Sequence, residues 1–512
     1  MAEPAQTSWR IEIDDEAGTL RLAEELADTL RPDDLVTLSG DLGSGKTTFA
    51  RAVVRKLAGD PALEVPSPTF TLMQVYQCKA CPVVHADLYR LKDADELAQL
   101  GWDEAASGAI VMVEWADRAG DQLPPDRLDL CFSLALARGP EARDVVVTGH
   151  GAFGARLDRM RAIHGVLAAS GWDKAARSFM LGDASSRAYE RLKKPDGGRA
   201  ILMISPPRPD GPPIRDGKPY SVIARLAENV TPFIAVDHAL RAQGFSAPEI
   251  HAFDLEGGVA VLEDLGPEGV VDANGPIADR YSESVAVLAA LHARDLPATL
   301  PVEGAGSYDV PPYDLDALMI EVDLLLEWYA PAYTGNPIPA EARKSFETLW
   351  KEALIPVVEG PRTWSLRDYH SPNLIWLPQR EGLKRVGIID FQDCVMGHPA
   401  YDVASLAQDA RVTVSDDLEL KLLSRYARER RASDPDFDMG EFARAYATLG
   451  AQRATKILGI FARLDKRDGK PQYLAHLPRV RAYLAKDLAH PALAGLKAWF
   501  EAHAPDVFTP AS

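Results

Sequence analysis

Along the first third of the chain, short apolar runs alternate with amphipathic stretches: LVTLSG (35–40), helix-like TTFARAVVRKLAG (47–59), then FTLMQVY (70–76), VVHADLY (83–89), AIVMVEW (109–115) and LDLCFSLAL (128–136). Strands interleaved with helical segments at this spacing predict a βαβ sheet, mostly parallel. Glycines collect in GHGAFGAR (149–156) just before the helical pattern RLDRMRAIHGVLAAS, which puts a domain boundary near residue 150. From Phe179 the pattern turns strand-rich, with FMLGD, AYERLKK and ILMIS, followed by a Pro/Gly-rich loop. FDLEGG and VAVLEDLG (253–266) read as a hairpin closed by a glycine turn. After about residue 276 helical periodicity takes over, interrupted at 364–394 by two apolar runs that end in acidic residues. The expected organisation is an α/β unit over 1–150, a linker helix and the start of the next unit over 151–178, a small β-rich lobe over 179–270 and a helical lobe over 271–512.

At 512 residues, the chain is longer than one hydrophobic core comfortably serves. Hydrophobic residues at 46% and charged residues at 26% fit a folded protein rather than a disordered or fibrous one. Lys and Arg number 56 against 75 Asp and Glu, a formal charge of −19, which disfavours a large phosphate-gripping surface, so that a partner would hold any RNA. The opening lacks an apolar signal-like region and no uncharged apolar run reaches about 18 residues, so the expectation is a cytoplasmic protein without membrane contact. Four cysteines are too few for a disulfide framework at this size, and Cys78–Cys81, with no second pair, reads as an inert loop rather than a zinc site.

Gly40-Asp-Leu-Gly43-Ser44-Gly45-Lys46-Thr47 fits G-x-x-x-x-G-K-[ST] between an apolar strand and a helix. Gly40, Gly43, Ser44 and Gly45 let main-chain N–H groups converge on phosphate, with Thr48 beside them. Lys46 would reach the β/γ-phosphates, and the Thr47 hydroxyl would meet Mg²⁺. Asp87 and Glu114 each end an apolar run and belong on the phosphate edge of a parallel sheet, as metal-binding or catalytic carboxylates. Trp115 either covers the nucleotide or packs.

Farther on, Arg367-Asp368 followed by Asn373 has the spacing of H-R-D-x-x-x-x-N with Leu366 in place of the first His, and Asp390-Phe391-Gln392 stands where D-F-G would. In phosphoryl transfer the first Asp orients or accepts the proton of the hydroxyl nucleophile, while the Asn and second Asp hold Mg²⁺. Met203 in ILMIS occupies the place of the usual phosphate-binding Lys. Lys193, Lys194 and Lys218 are near in sequence but outside that strand, so another cation substitutes or the site does without one. His292 reads as a packed helix residue.

GDLGSGKTTFAR, SPTFTL (67–72), HADLYRL (85–91) and VEW (113–115), in that order, resemble the TsaE family of ATPases. The resemblance implies an ATP hydrolase acting with TsaB and TsaD on the threonylcarbamoyl (t6A) modification of tRNA position 37, touching tRNA only indirectly. It also implies that Thr69 lies in a switch-like loop and that Asp87 and Glu114 supply metal and catalytic carboxylates, with the acid that meets the ion directly left open. LRDYHSPN, IDFQD and GHPAYDVASL (397–406) resemble the aminoglycoside-phosphotransferase-like kinases. GDASSRAYERL (182–192) then corresponds to the nucleotide hairpin and LEDLG (262–266), with Glu263, to the ATP-binding hinge. Over about 160–500 the chain resembles amino-sugar kinases of the AmgK type, which phosphorylate the anomeric hydroxyl of N-acetylmuramate or N-acetylglucosamine in cell-wall recycling. That likeness implies Asp368 as base, Asn373 and Asp390 as metal ligands, Asp402 as the acid that orders the catalytic loop, and Arg367, Glu321 and Trp328 as sugar-pocket residues. The implied fold is an α/β P-loop NTPase domain followed by an α+β two-lobed kinase-like domain, both using ATP and Mg²⁺. Other readings of the second domain are a kinase for choline, homoserine or an aminoglycoside, or a non-catalytic docking module.

Overall fold

The computed structural model describes residues 6–91, 96, 101–180, 187–207, 211–333 and 338–509, which form two compact units, Met1–Gly165 and Val166–Ser512. No helix among the described residues is long and apolar enough to cross a membrane.

The first unit is built on β1 (Gln6–Ile13), β2 (Leu35–Gly40), β3 (Met73–Gln77), β4 (Pro82–Asp87), β5 (Ile110–Glu114), β6 (Leu128–Leu134) and β7 (Arg143–His150), arranged β1-β7-β6-β2-β5-β4-β3. The sheet is mixed rather than mostly parallel. β6, β2, β5 and β4 run parallel, whereas β1–β7, β7–β6 and β3–β4 pair antiparallel. Connection length accounts for the difference: the Cys78–Cys81 turn between β3 and β4 is too short for a parallel crossover, which needs a dozen residues or more. The helix α1 (Lys46–Ala58) starts at Gly45, whose φ of 109° suits glycine, and buries Phe49, Val53 and Val54. A Cβ on Gly40 would meet the Phe132 carbonyl at 2.1 Å, so the close approach of β2 to β6 at the phosphate edge requires glycine there.

The helix α2 (Ala152–Ala169) carries the chain onward, and the units separate at Gly165 rather than near residue 150. Phe153, Leu157 and Met160 bury into the first core, so what looks like a linker in sequence begins as part of that unit.

The second unit begins with an antiparallel sheet of β8 (Ala176–Met180), β9 (Ala188–Lys193), β10 (Arg199–Ile204), β11 (Ile250–Asp254) and β12 (Val259–Glu263), ordered β11-β12-β10-β9-β8. The expected hairpin is β11–β12. The lobe also contains α3 (Thr231–Ala242), with Pro232 in its first turn, a helix not anticipated in the β-rich stretch. Gly182–Ser186 of the expected nucleotide hairpin lie outside the described residues. The remainder is mainly helical, centred on α4 (Met439–Lys466), 28 residues long. Gly459 lets this helix press against the Leu324 backbone, where a Cβ would come within 2.4 Å. One continuous core joins Met203 of β10, Phe233 of α3 and Phe391 to the helical lobe, and Phe233 stacks on Phe391 at 5.0 Å.

Candidate functional sites

In the first unit β4 and β5 are in register with Asp87 opposite Glu114, and Leu38 of β2 opposes Glu114 on the other side. Both acids thus emerge beside the Gly40–Thr47 loop, 4% and 2% exposed. The Thr47 hydroxyl donates to Glu114 Oε1 at 2.8 Å, and buried His85 Nε2 lies 3.0 Å from the same oxygen. Asp87 Oδ2 instead accepts from Ser67 Oγ at 2.8 Å and Thr69 Oγ1 at 3.0 Å. The two carboxylates therefore differ: Glu114 shares its position with the hydroxyl expected to meet metal, and Asp87 holds the Ser67–Thr69 loop. Lys46 donates to the Gly40 and Asp41 carbonyls at 2.7 and 2.9 Å, and its Nζ sits 4.4 Å above the Trp115 ring. Burial pulls the Lys46 pKa down, opposed by Glu114, Asp87 and Asp41. Trp115 covers the lysine, and Thr48 is half-buried in the first turn of α1. A hydroxyl with a carboxylate is a hard oxygen set that suits Mg²⁺, an ion that usually takes one or two protein carboxylates and completes its shell with phosphates and water.

In the second unit the strand Thr363–Ser365 leads into the Leu366–Asn373 loop, and a hairpin of Leu374–Trp376 with Val386–Ile388 returns the chain. Because Leu374 opposes Ile388 and the Ile389 N–H donates to the Asn373 carbonyl, Asn373 and Asp390 meet at the hairpin mouth. Asn373 Nδ2 donates to the Asp368 carbonyl at 2.9 Å and lies 3.4 Å from Asp390 Oδ2. Gln392, in place of the usual glycine, donates to Asp390 Oδ1 at 3.0 Å. An Asn amide oxygen and an Asp carboxylate again fit Mg²⁺.

Arg367 and Asp390 have φ of 64° and 60°, a region that costs a non-glycine residue energy unless its surroundings enforce it. Those surroundings are visible around Arg367. Asp402, wholly buried, accepts from the Leu366 N–H (2.7 Å), the Arg367 N–H (2.9 Å) and the Ser365 hydroxyl (3.1 Å). Burial nonetheless pushes the Asp402 pKa up to about 7. The Arg367 guanidinium pairs with Glu321, which also takes Lys456 (2.8 Å), Tyr313 (2.6 Å) and Gln452 (2.9 Å).

Arg367 and Glu321, expected at the sugar pocket, are therefore a buried ion pair behind the loop, 2% and 0% exposed, and carry no pocket surface. Trp328 sits in a π-helical turn, packed on the core. Glu263, expected to hold ATP, gives its N–H to the Glu249 carbonyl, and its carboxylate accepts from Arg380 (2.5 Å) and the Glu249 N–H (3.1 Å), so its side chain is engaged by these two residues. His292 is buried against the Tyr426 hydroxyl at 2.9 Å.

Asp368 is 42% exposed at the side chain and opens onto a pocket lined by His370, Tyr401, Arg411, Arg453, Lys456 and Phe461, and among the described residues it is the one acid of that wall. Arg453 and Lys456 sit three apart on α4 and so share a helix face. Burial acts to raise the Asp368 pKa, but His370, Lys456, Arg367 and Arg453 together hold it below the usual carboxylate range. Neither arginine of this wall was marked by the sequence motifs, because Arg453 reaches the pocket only through the docking of α4 and Arg411 only through the path of the chain after the helix Ala400–Ala407.

The model for the threonylcarbamoyl adenosine biosynthesis protein TsaE matches residues 13–141, and that for the phosphotransferase enzyme family matches residues 178–444. The N-acetylmuramate/N-acetylglucosamine kinase of Caulobacter vibrioides is 40% identical over 351 residues, covering 66% of this chain and 95% of that protein. Its Pseudomonas aeruginosa counterpart is 29% identical over 335 residues, covering 64% and 89%. The tRNA threonylcarbamoyladenosine biosynthesis protein TsaE of Rickettsia felis is 38% identical over 118 residues, covering 23% of this chain and 68% of that protein. Two enzyme families with ATP-dependent chemistry are thus joined in one polypeptide, which belongs to the TsaE family through its first unit and to the phosphotransferase enzyme family through its second.

Proposed function

We propose that the second unit transfers the γ-phosphoryl group of Mg-ATP to the anomeric hydroxyl of N-acetylmuramate or N-acetylglucosamine, in cell-wall recycling in the cytoplasm. The carrying observation is the basic wall facing Asp368, from Arg411, Arg453 and Lys456. A cationic acceptor such as choline or an aminoglycoside is disfavoured where three basic side chains stand against one aspartate, whereas a neutral or acidic sugar tolerates or exploits this wall. The names of the relatives supply the two sugars.

In this reading Asp368 takes the hydroxyl proton as the sugar oxygen bonds to the γ-phosphorus and the bond to the β-phosphate oxygen breaks, leaving ADP. Asn373 and Asp390 would hold magnesium, which would supply positive charge against the transferring phosphate. Asp402 keeps the loop in its strained form, so that Asp368 is aimed before the substrate arrives.

The first unit is proposed as the ATPase of the t6A machinery, working with TsaB and TsaD, with Lys46 and the loop amides on phosphate and Thr47 and Glu114 on magnesium. The Thr47–Glu114 bond supports that pairing. The test of the kinase reading is ATP consumption with N-acetylmuramate, N-acetylglucosamine, choline and kanamycin as acceptors. Turnover with the two sugars is expected; turnover confined to choline and kanamycin would overturn it.

A further inference from the structure

Met203 takes the place of the lysine that anchors phosphate in kinases with this catalytic triplet, and it is 1% exposed within the core. None of the three lysines nearby in sequence replaces it. Lys194 sits 4.2 Å over the Trp172 ring, and Lys193 and Lys218 are exposed on the lobe.

A cation does reach the cluster from the residue just before the neighbouring strand β9. Arg187 Nη1 donates to Asp390 Oδ1 at 2.7 Å, and the Arg187 side chain is only 10% exposed. Its origin follows from the register. Tyr189 of β9 directly opposes Met203 of β10, so these two share a face of the sheet. Arg187 precedes Tyr189 by two residues, the spacing that returns a side chain to the same face of an extended chain. The positive charge has thus moved from β10 to the residue that enters β9, where it still reaches Asp390.

Resting on the kinase reading above, we infer that Arg187 is the phosphate-binding cation of the second unit and takes the role vacated at Met203. A guanidinium presents five N–H donors in a planar fork, so one arginine can serve a carboxylate and a phosphate together. At this position it would meet the triphosphate next to Asp390 and supply positive charge that neutral Asn373 and anionic Asp390 cannot.

The test is nucleotide binding by the full chain carrying Lys46→Ala, which confines binding to the second unit, without sugar. Calorimetry is run with adenosine and with the non-hydrolysable ATP analogue AMP-PNP, the latter with Mg²⁺ and in EDTA. Arg187→Met is expected to weaken AMP-PNP roughly 10- to 100-fold with or without metal and to leave adenosine unchanged. Arg187→Lys keeps the charge and is expected to recover most of that loss, which also covers the case in which the methionine variant fails to fold. AMP-PNP binding within twofold of the parent in Arg187→Met overturns the inference. So does a loss seen only with Mg²⁺, which would mean action through Asp390 alone, or an equal loss of adenosine in Arg187→Lys, which would mean a structural role. Because no acceptor is present, a wrong sugar leaves this result intact, whereas a parent that binds no AMP-PNP defeats the kinase reading itself.

Discussion

Asp402 accepts the main-chain N–H of Arg367 across 2.9 Å, and that bond holds a residue with φ of 64° immediately before Asp368. Asp402→Ala would leave the Leu366 and Arg367 N–H groups and the Ser365 hydroxyl without this acceptor, each costing about 1–3 kcal/mol if it stays buried. The larger effect falls on aim, since misplacing a catalytic group by ~1 Å can cost about 100-fold in rate. Steady-state kinetics should show kcat for sugar phosphorylation falling by that order with the KM for ATP changed only a few-fold; an unchanged kcat would remove Asp402 from the positioning role.

The basic wall predicts which sugar is favoured. N-acetylmuramate carries a lactyl carboxylate that N-acetylglucosamine lacks, and Arg453, 6% exposed, lines the pocket on the Asp368 side. Losing one charge-assisted contact costs about 1.5–3 kcal/mol. Arg453→Ala should therefore lower kcat/KM for N-acetylmuramate roughly 10- to 100-fold and for N-acetylglucosamine only a few-fold. Equal losses with both sugars would mean that the arginine does not read the carboxylate.

In the first unit, Thr47→Val removes the hydroxyl that meets Glu114 and should abolish ATP hydrolysis there, while sugar phosphorylation by the same chain stays at its native rate. Parallel assays of phosphate release and sugar phosphate formation check this. Loss of both activities in a folded protein would contradict independent sites.

Asp237 on α3 gives a pH prediction. It is wholly buried, neither carboxylate oxygen has a hydrogen-bond partner among the described residues, and burial pushes its pKa up to about 8. An acid raised in the fold stabilises fully below its unfolded value of roughly 4, and that contribution is lost as pH rises through the folded value. Asp237→Asn should accordingly unfold at a higher temperature than the native chain near pH 9, by a margin that shrinks to nothing near pH 4. A margin independent of pH would show that this carboxyl group is not the cause.

The two motifs were legible because each is local. A glycine loop between strand and helix, and an Asp and Asn at fixed spacing, write their geometry into short stretches of chain. The Asp402 tie was likewise expected, on family likeness, and its three donors now account for it. What the sequence hid depends on long-range packing. Glu321 on an amphipathic helix looks the same whether it faces a sugar or a buried arginine; only docking against Arg367 and Lys456 decides. Arg187 lies 203 residues from its partner Asp390, with no motif linking them, although the missing lysine at Met203 was a signal that some cation had to be found. The start of α2 passed for a linker because its apolar positions show which core they serve only once folded.

The central claim is that one polypeptide holds two separate sites for magnesium-bound nucleoside triphosphate. Equilibrium titration of the intact chain with Mg-AMP-PNP tests it most directly. The native protein is predicted to bind two equivalents and the Lys46→Ala chain one; a native chain saturating at a single equivalent would contradict the account.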